Sequence, residues 1–389
     1  MKLSRRTLLG ATAAIAVVGA TSACSGGNAA QSGDEIRLGV NFELSGGVAT
    51  YGQASVAGIN LAVNAINDAG GIDGKKIKLI EYDNKSDAAE ATTLAQKLMS
   101  QDGVLACMGP ATSTNFMATI PIANQNKIPV VSGSATADSV TWDGETVQEF
   151  AFRICFSDSF QGTIMAQFAS ENLSAKTAVV IKDNSNDYSI GLAKAFTEEF
   201  VKRGGSIVSE EAFVAGDTDF NTILTRIKGQ PFDVIYLPGY YSEAGLIIKQ
   251  ARDLGITAPV LGGDGFDSPK LAELGGAAAL NDVYFTNHYS ALDKDPKVTE
   301  FVEAFKAKNN NEEPNGFHAL GYDLGNFVAD SVKRASELTG VAIQQAMAST
   351  KGFVGVTGTF DIDEHHNPVK SIVVIGLKDG QQATSEKIG

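Results

Sequence analysis

Histidine, cysteine and tryptophan are scarce in this sequence of 389 residues, which contains four, three and one of them. Histidine and cysteine dominate metal sites and catalytic acid–base or nucleophilic sites. The sequence also has no Gly-x-Ser-x-Gly elbow, no His-Glu-x-x-His pair, no Walker loop and no Gly-x-Gly-x-x-Gly turn after a strand. His365 and His366 are neighbours, but their polar surroundings are typical of a solvated loop. These features argue against an enzyme and predict neither a metal site nor a cofactor.

Positive charge is scarce as well. Lysine and arginine total 31 against 45 acidic residues, which gives a formal net charge of −14 at pH 7. The first 23 residues contain Lys2, Arg5 and Arg6 and no acid, so a chain starting at Cys24 would carry −17. This charge argues against nucleic-acid binding and against a polybasic membrane-binding surface. The content of 43% hydrophobic and 20% charged residues is that of a soluble globular protein, and the length suggests two α/β domains.

Residues 1–23 have the pattern of an export signal. A basic start is followed by the apolar run Leu8 to Ala20, which is too short to span a bilayer comfortably. The segment Ser4-Arg-Arg-Thr-Leu-Leu9 resembles a twin-arginine signal. The sequence therefore predicts an exported protein.

The end of this signal resembles a lipobox, Thr21-Ser-Ala-Cys24, in which the cysteine is lipidated and becomes the N-terminus. Thr21 replaces the usual leucine of that motif. Residues 24–34 continue with a Gly/Ser-rich stretch that would form a flexible tether. Ordinary cleavage after Ala23, giving a free secreted protein, is the alternative; we favour the lipoprotein because a cysteine before a tether has little folding purpose.

Two further cysteines, Cys107 and Cys155, remain in the exported chain. They could pair, because export leads to an oxidising environment, or both could be small buried hydrophobic residues. Sequence spacing does not fix the distance between them. We expect free thiols.

Strand and helix patterns alternate along the chain. The run Ile36 to Phe42 predicts a buried strand, and a helix that ends at Gly70-Gly71 follows it. That helix has one apolar face, formed by Val56, Ile59, Val63 and Ile66. The alternation restarts at Lys176. It predicts an α/β fold with parallel sheets covered by helices, in which ligands bind beyond the carboxyl ends of the strands.

Two similar strand-to-helix turns lie back to back within residues 104–136. The first ends in a hydroxyl cluster around Ser113, and the second contains Ser134 and Thr136. Such turns present unpaired N–H groups and the positive end of a helix dipole. Hydroxyl side chains there cap helices or help to hold an anion. Because neither turn contains lysine or arginine, the pair favours a small carboxylate bound without a salt bridge, with simple helix capping as the alternative.

Short motifs are distributed between residues 36 and 377. They are Leu44-Ser-Gly-Gly with Tyr51-Gly52, Asn67-Asp-Ala-Gly-Gly-Ile-Asp-Gly74, Gly109-Pro-Ala-Thr-Ser113, Ser132-Gly-Ser-Ala-Thr136, Phe152-Arg153 with Asp158-Ser-Phe-Gln-Gly162, Asp187-Tyr188, Gly239-Tyr240 and Gly262-Gly-Asp-Gly265. In order and spacing they resemble the type I periplasmic binding proteins of the Leu/Ile/Val-binding family, the solute receptors of branched-chain amino-acid ABC transporters.

The resemblance implies two similar three-layer αβα lobes with mostly parallel sheets, joined by a three-crossing hinge. The crossings would lie near Arg153–Ile154, Phe285–Asn287 and Asp361–Asp363. Lobe 1 would then comprise residues 35–153 and 287–361, and lobe 2 residues 154–286 and 362–382.

The resemblance also implies a ligand site between the lobes. In lobe 1, Ser113 and Thr136 match positions that hold the ligand's α-carboxylate, and Ser134 matches a position whose carbonyl meets the ammonium. In lobe 2, Asp264 matches the acidic partner of the ammonium, and Tyr240 an aromatic that meets the cation.

Three further aromatic residues, Tyr51, Tyr188 and Phe317, match positions that surround the ligand's side chain or stack across the cleft. No lysine or arginine matches a ligand-contact position, which disfavours a dicarboxylate.

The sequence therefore predicts an extracytoplasmic receptor, held at the membrane by its lipid anchor, that binds a neutral amino acid by hinge closure. The amino acid would be branched-chain or small aliphatic, and an ABC transporter permease would receive it. We expect a monomer. Two alternatives remain: the same fold could bind urea, a short-chain amide or an aromatic acid, or it could serve as a ligand sensor.

Overall fold

A computed structural model of the chain describes residues 35–388. The predicted export signal of residues 1–23 and the tether of residues 24–34, with the lipidation candidate Cys24, lie outside the described residues.

The first sheet consists of five parallel strands in the order β2-β1-β3-β4-β5. They are β1 Glu35–Phe42, β2 Lys76–Asp83, β3 Cys107–Met108, β4 Val130–Ser132 and β5 Ala151–Arg153. Leu38, Val40 and Phe42 of β1 are fully buried, as expected for a strand with helices on both faces. The strand order reverses between β1 and β3, so the loops after these strands border a crevice at the carboxyl edge.

The second sheet has seven strands in the order β14-β13-β10-β9-β8-β6-β7. They are β6 Thr177–Asp183, β7 Ser206–Phe213, β8 Val234–Tyr236, β9 Val260–Gly262, β10 Val283–Asn287, β13 Ile372–Lys378 and β14 Gln381–Ile388. The first five run parallel, β13 pairs antiparallel with β10, and β14 pairs antiparallel with β13. The order reverses between β6 and β8, which repeats the plan of the first sheet. A separate hairpin is formed by β11 Phe353–Gly355 and β12 Gly358–Phe360.

Helices cover both sheets. They are α1 Ala49–Asp68, α2 Ala88–Ser100, α3 Ser113–Asn126, α4 Asp158–Glu171, α5 Asp187–Lys202, α6 Asn221–Lys228, α7 Tyr241–Asp253, α8 Pro269–Gly275, α9 Pro296–Lys308, α10 Gly316–Arg334 and α11 Gly340–Ala348. Helices α1 and α10 pack against each other. A Cβ on Gly58 would collide with the His318 carbonyl oxygen, and one on Gly321 with that of Ser55. These glycines therefore allow the two backbones to touch beside the crevice.

The predicted α/β fold with two similar lobes is confirmed. The chain leaves the first sheet after β5, returns after β10, and crosses again before β13. Asn367 still contacts lobe 1, because its Oδ1 accepts from Arg153 Nε and from Thr141 Oγ1, each at 2.7 Å. The third crossing therefore lies between Asn367 and Ile372, later than the proposed boundary at 361–363. The final strand also continues past residue 382, to Ile388.

Cys107 and Cys155 are both buried and free. Cys107 lies in β3 of the first sheet, whereas Cys155 follows β5 and donates its S–H to the Ala135 carbonyl at 3.3 Å. The structure thus shows the free thiols that the sequence analysis expected. Across residues 35–388, no helix is both long enough and apolar enough to cross a membrane.

Candidate ligand-binding site

A small, largely closed cavity lies where the carboxyl-end loops of the two sheets face each other. Its lining comprises Tyr51, Ala111, Thr112, Ser113, Ser134 and Phe317 from lobe 1 and Tyr188, Tyr240, Asp264 and Gly265 from lobe 2. Seven of the eight predicted site residues are therefore brought together. The eighth, Thr136, is fully buried and does not line the cavity.

The N-terminus of α3 forms the lobe 1 end of the cavity. Thr112 is its N-cap residue, yet the Thr112 side chain makes no capping hydrogen bond. Its hydroxyl instead donates to Glu43 Oε1 at 2.7 Å. Ser113, the first residue of the helix, accepts from the Ala137 N–H through its Oγ at 3.1 Å. The amides and the positive dipole end of this helix can therefore receive an anion.

Glu43, which the sequence analysis did not select, holds this turn. Its carboxylate is fully buried and accepts from the N–H groups of Ala111 at 2.9 Å and Thr112 at 3.1 Å. It also accepts from the Thr112 hydroxyl and from Asn115 Nδ2, at 2.7 and 2.9 Å. A signal was available in the sequence, because Glu43 directly follows β1 and so lies at the carboxyl edge of the sheet.

The second turn is fastened to the first by serine hydroxyls. Ser132 Oγ donates to the Pro110 carbonyl at 2.7 Å and accepts from the Ala135 N–H at 2.9 Å. Ser134 Oγ donates to the Ala111 carbonyl at 2.9 Å. The two turns thus form one rigid polar wall.

Thr136 lies behind this wall, beside Asp158 at the start of α4. Its carbonyl accepts from Arg153 Nη1 at 2.7 Å and from the Asp158 N–H at 2.8 Å. Thr136 Oγ1 and Asp158 Oδ2 are neighbours, but neither has a hydrogen-bond partner of normal geometry within residues 35–388. Burial raises the pKa of Asp158 well above its ordinary value, an effect that the Thr136 hydroxyl opposes. The predicted ligand contact of Thr136 stays a prediction.

Asp264 forms the lobe 2 end of the cavity and is only 3% exposed. Its Oδ1 accepts from the Tyr188 hydroxyl at 2.9 Å, and its Oδ2 lies 3.2 Å from His288 Nε2. Burial and the Asp264 charge raise the pKa of Tyr188 well above its ordinary value, so the phenol keeps its proton and donates. Within the described residues, no lysine or arginine forms an ion pair with Asp264. A buried carboxylate without such a partner is costly unless a ligand supplies the cation.

Aromatic rings form the remaining walls. Tyr51 stacks on Phe317 with ring centroids 4.3 Å apart, and Tyr188 stacks on Tyr240 at 5.1 Å. The two pairs meet where Tyr51 packs edge-on against Tyr240. The Tyr51 hydroxyl also donates to the Gly265 carbonyl at 2.5 Å, which connects the lobes directly. A ligand side chain here would be enclosed by apolar ring surface.

A metal role finds no support in the described part of the chain. No three His, Cys, Asp or Glu side chains of residues 35–388 are grouped closely enough to hold a metal ion.

Comparisons with known proteins agree with this geometry. A family model described as periplasmic binding protein matches residues 35–382. One similar solved structure is LivJ from Streptococcus pneumoniae, the substrate-binding protein of a branched-chain amino acid transporter, in complex with isoleucine. LivJ is 42% identical to this chain and superposes with a TM-score of 0.86; the match covers 91% of this chain and 99% of LivJ. The leucine-binding protein LivK from Thermotoga maritima is 36% identical with a TM-score of 0.85, over 91% and 98% of the two chains.

A relative matched by sequence alone extends the comparison. Leu/Ile/Val-binding protein homolog 3 of Brucella melitensis is 30% identical over 331 residues, which are 85% of this chain and 88% of that protein. The chain therefore belongs to the periplasmic binding protein family, as a type I member similar to the Leu/Ile/Val-binding proteins, and is a substrate-binding protein rather than an enzyme.

Proposed function

We propose that this protein is an extracytoplasmic lipoprotein that binds a neutral amino acid, branched-chain or small aliphatic, and delivers it to an ABC importer permease. The observation that carries the proposal is the polarity of the cavity. One end is the uncapped N-terminus of α3, and the other is the buried carboxylate of Asp264, which has no lysine or arginine partner in the described chain.

A zwitterion satisfies both ends at once. Its carboxylate meets the N–H groups and the Ser113 hydroxyl at α3, where the helix dipole favours negative charge. Its ammonium meets Asp264 and the face of Tyr240. The aromatic walls leave no charged group for the side chain, which favours an aliphatic one. The relatives named for leucine, isoleucine and valine, and the isoleucine bound to LivJ, support this choice.

Binding is coupled to closure of the lobes. Hydrogen bonds already connect the lobes in this structure, between Tyr51 and Gly265 and between Thr114 and Asp187. Closure excludes water from the cavity and strengthens each polar contact with the ligand. The closed surface is then what the permease recognises, while lipidation at Cys24, after export by the twin-arginine route, keeps the monomeric receptor at the membrane.

Urea, a short-chain amide and an aromatic acid fit this cavity less well. Urea and amides carry no full charge for either end, and an aromatic acid leaves Asp264 without a cation, with the cost of a buried unpaired charge.

Thermal unfolding tests the proposal. The chain without residues 1–23 and with Cys24→Ser is unfolded and refolded to remove bound ligand, then melted with each amino acid, urea, acetamide and benzoate. We expect a rise in Tm with isoleucine, leucine, valine or a small neutral amino acid, because ligand at about 100 times Kd adds about 2.7 kcal/mol to the free energy of unfolding.

Two variants locate the site, and a third is the control. At a fixed ligand concentration, Asp264→Asn and Ser113→Ala should greatly reduce the shift by weakening binding, whereas Asp253→Asn, at an exposed position of α7, should preserve it. A shift only with urea, acetamide or benzoate would refute the zwitterion site. A shift unchanged in Asp264→Asn would refute the role of that carboxylate.

A further inference from the structure

The second crossing holds the acidic turn of the cavity from behind. Asn287, the last residue of β10, donates from Nδ2 to Asp267 Oδ2 at 2.7 Å, and the next residue, His288, contacts Asp264 Oδ2. Asp267 Oδ2 also accepts from the N–H of Gly316, the first residue of α10, at 2.6 Å. Two consecutive hinge residues therefore fix both acidic residues of the 264–267 turn, and lobe 1 joins the same network.

His288 itself is held rigidly. Its side chain is 1% exposed, and its ring stacks on Phe156 with centroids 3.6 Å apart. Its backbone N–H donates to Asn287 Oδ1 at 2.7 Å. The imidazole has little freedom to leave Asp264.

The protonation state of His288 follows from its surroundings. Burial lowers its pKa to about 4, against the opposing effect of Asp264, so the ring is neutral at pH 7. A neutral imidazole has one N–H, and we assign it to Nε2, because an N–H there makes the 3.2 Å contact with Asp264 Oδ2 a hydrogen bond to a carboxylate. Nδ1 is then an acceptor, and it has no hydrogen-bond partner within residues 35–388.

We propose that His288 is a positioning residue that holds the Asp264 carboxylate for the ammonium of the bound amino acid, an inference that rests on the proposed function. Tyr188 fixes Oδ1 and His288 fixes Oδ2. Both donors are neutral, so they orient the carboxylate without cancelling its charge. A lysine or arginine in place of His288 would neutralise Asp264 and compete with the ligand's ammonium.

Two substitutions separate the hydrogen bond from the ring packing. His288→Phe keeps an aromatic face for Phe156 but removes the N–H donor, whereas His288→Gln supplies an N–H donor without the ring. His365→Phe is the matched control, since His365 stacks on Trp142 at 4.4 Å far from the cavity.

Titration calorimetry measures the affinity for isoleucine of each His288 variant, in the wild-type and in the Asp264→Asn background. Comparing the two backgrounds gives the coupling free energy between His288 and Asp264. In the wild-type background, His288→Phe should weaken binding about tenfold or more, the usual effect of losing a hydrogen bond to a charged group. His288→Gln should recover most of this loss. In Asp264→Asn, His288→Phe should change the affinity less than about twofold.

The outcomes distinguish the inference from the proposed function. If His288→Phe binds isoleucine as tightly as the wild type does, the positioning role alone is refuted. An equal loss of affinity in the wild-type and Asp264→Asn backgrounds would also refute it, because such a loss indicates an effect of ring packing. Wild-type protein that binds no neutral amino acid would refute the proposed function and this inference with it.

A measurement without ligand examines the hydrogen bond directly. Nitrogen-15 NMR of the histidine rings, with His288 assigned from the His288→Phe spectrum, should show a proton on Nε2, an unprotonated Nδ1 and no titration between pH 8 and 5.5. A proton on Nδ1, or an ordinary histidine titration, would overturn the inference.

Discussion

Two buried carboxylates of similar chemistry have opposite relations to the cavity. Within residues 35–388, Glu43 accepts hydrogen bonds from four protein donors and Asp264 from two. The partners of Glu43 are all lobe 1 groups of the α3 turn, so its hydrogen-bonding capacity is used for structure. The two partners of Asp264 leave accepting capacity for a ligand donor. This difference in hydrogen-bond satisfaction supports the proposal that Asp264, and not Glu43, binds the ligand.

Glu43→Gln tests the structural role at the residue scale. The NH2 group of the amide would replace one acceptor oxygen by a donor, opposite the N–H of either Ala111 or Thr112, which leaves a buried donor unpaired. We expect the free energy of unfolding to fall by about 1–3 kcal/mol in urea titrations, with weaker isoleucine binding because the α3 turn is displaced. Asp253→Asn is the exposed control. Wild-type stability in Glu43→Gln would contradict the assignment of Glu43 as the holder of this turn.

Residue types alone could identify only part of the site. Ser113 and Ser134 were predictable because strand-to-helix turns with hydroxyls have a known use. Asp264 was predicted only from the resemblance of the whole series of motifs to the family, because an aspartate between glycines often just starts a turn. His288 lies 24 residues from Asp264, and no spacing rule connects them. Only the position of the second crossing behind the 264–267 turn brings them together. Thr136 was predicted as a ligand contact from its motif; its Oγ1 lies beside Asp158 behind the cavity wall, and the ligand contact stays a prediction.

At the scale of elements, the sequence predicted the helices and strands that have one apolar face. Helix α1 shows the spacing of such a face, and its boundaries follow from Gly70-Gly71. Helix α4 was missed because it is buried on several sides: Ile164, Met165 and Ala166 are consecutive and all buried, so no helical period is visible. Strand β14 was missed for the opposite reason. It is polar and mostly exposed, and exists through antiparallel pairing with β13.

Lys370, a buried residue at the third crossing, should make the free energy of unfolding depend on pH in an unusual way. Lys370 Nζ donates to the Ile154 carbonyl of the first crossing at 3.1 Å and to Thr357 Oγ1 at 2.6 Å. Burial lowers its pKa to about 8 from an ordinary value of 10.5, although the charge of Asp323 opposes the shift. Between these values the unfolded chain binds more protons than the folded one, so the Lys370 contribution makes stability rise with pH across that window.

Lys370→Met should remove this contribution. We expect the free energy of unfolding of the wild type, minus that of the variant, to rise by roughly 1–2 kcal/mol from pH 7.5 to 10, measured in urea. Subtracting the variant cancels the contribution of Cys107, whose raised pKa acts in the opposite direction and does not depend on Lys370. Lys249→Met, at an exposed position of α7, should run parallel to wild type. If the unfolding free energies of Lys370→Met and wild type instead change in parallel with pH, the Lys370 side chain is hydrated like an ordinary lysine.

At the scale of the whole molecule, closure depends on a small set of hydrogen bonds between the lobes. Among them are Tyr51 Oη to the Gly265 carbonyl, Tyr241 Oη to the Gly47 carbonyl, Thr114 Oγ1 to Asp187 Oδ2, Thr50 Oγ1 with Ser268 Oγ, and the Gly316 N–H to Asp267 Oδ2. Tyr241 does not line the cavity, so its hydroxyl can change ligand affinity only by stabilising the closed arrangement of the lobes. Removing the 3.1 Å hydrogen bond between Tyr241 Oη and the Gly47 carbonyl therefore tests lobe closure without removing a ligand contact.

Tyr241→Phe should weaken isoleucine binding about five- to tenfold, because one hydrogen bond of the closed state is lost while every ligand contact remains. The loss should appear in the dissociation rate from stopped-flow displacement, with the association rate changed less than twofold. Tyr284→Phe, on β10 away from the lobe contact, is the matched control. An unchanged dissociation rate would mean that ligand contacts alone hold the lobes together. A slower association rate would instead place the hydroxyl on the path of ligand entry, so the two rate constants decide what this bond between the lobes does.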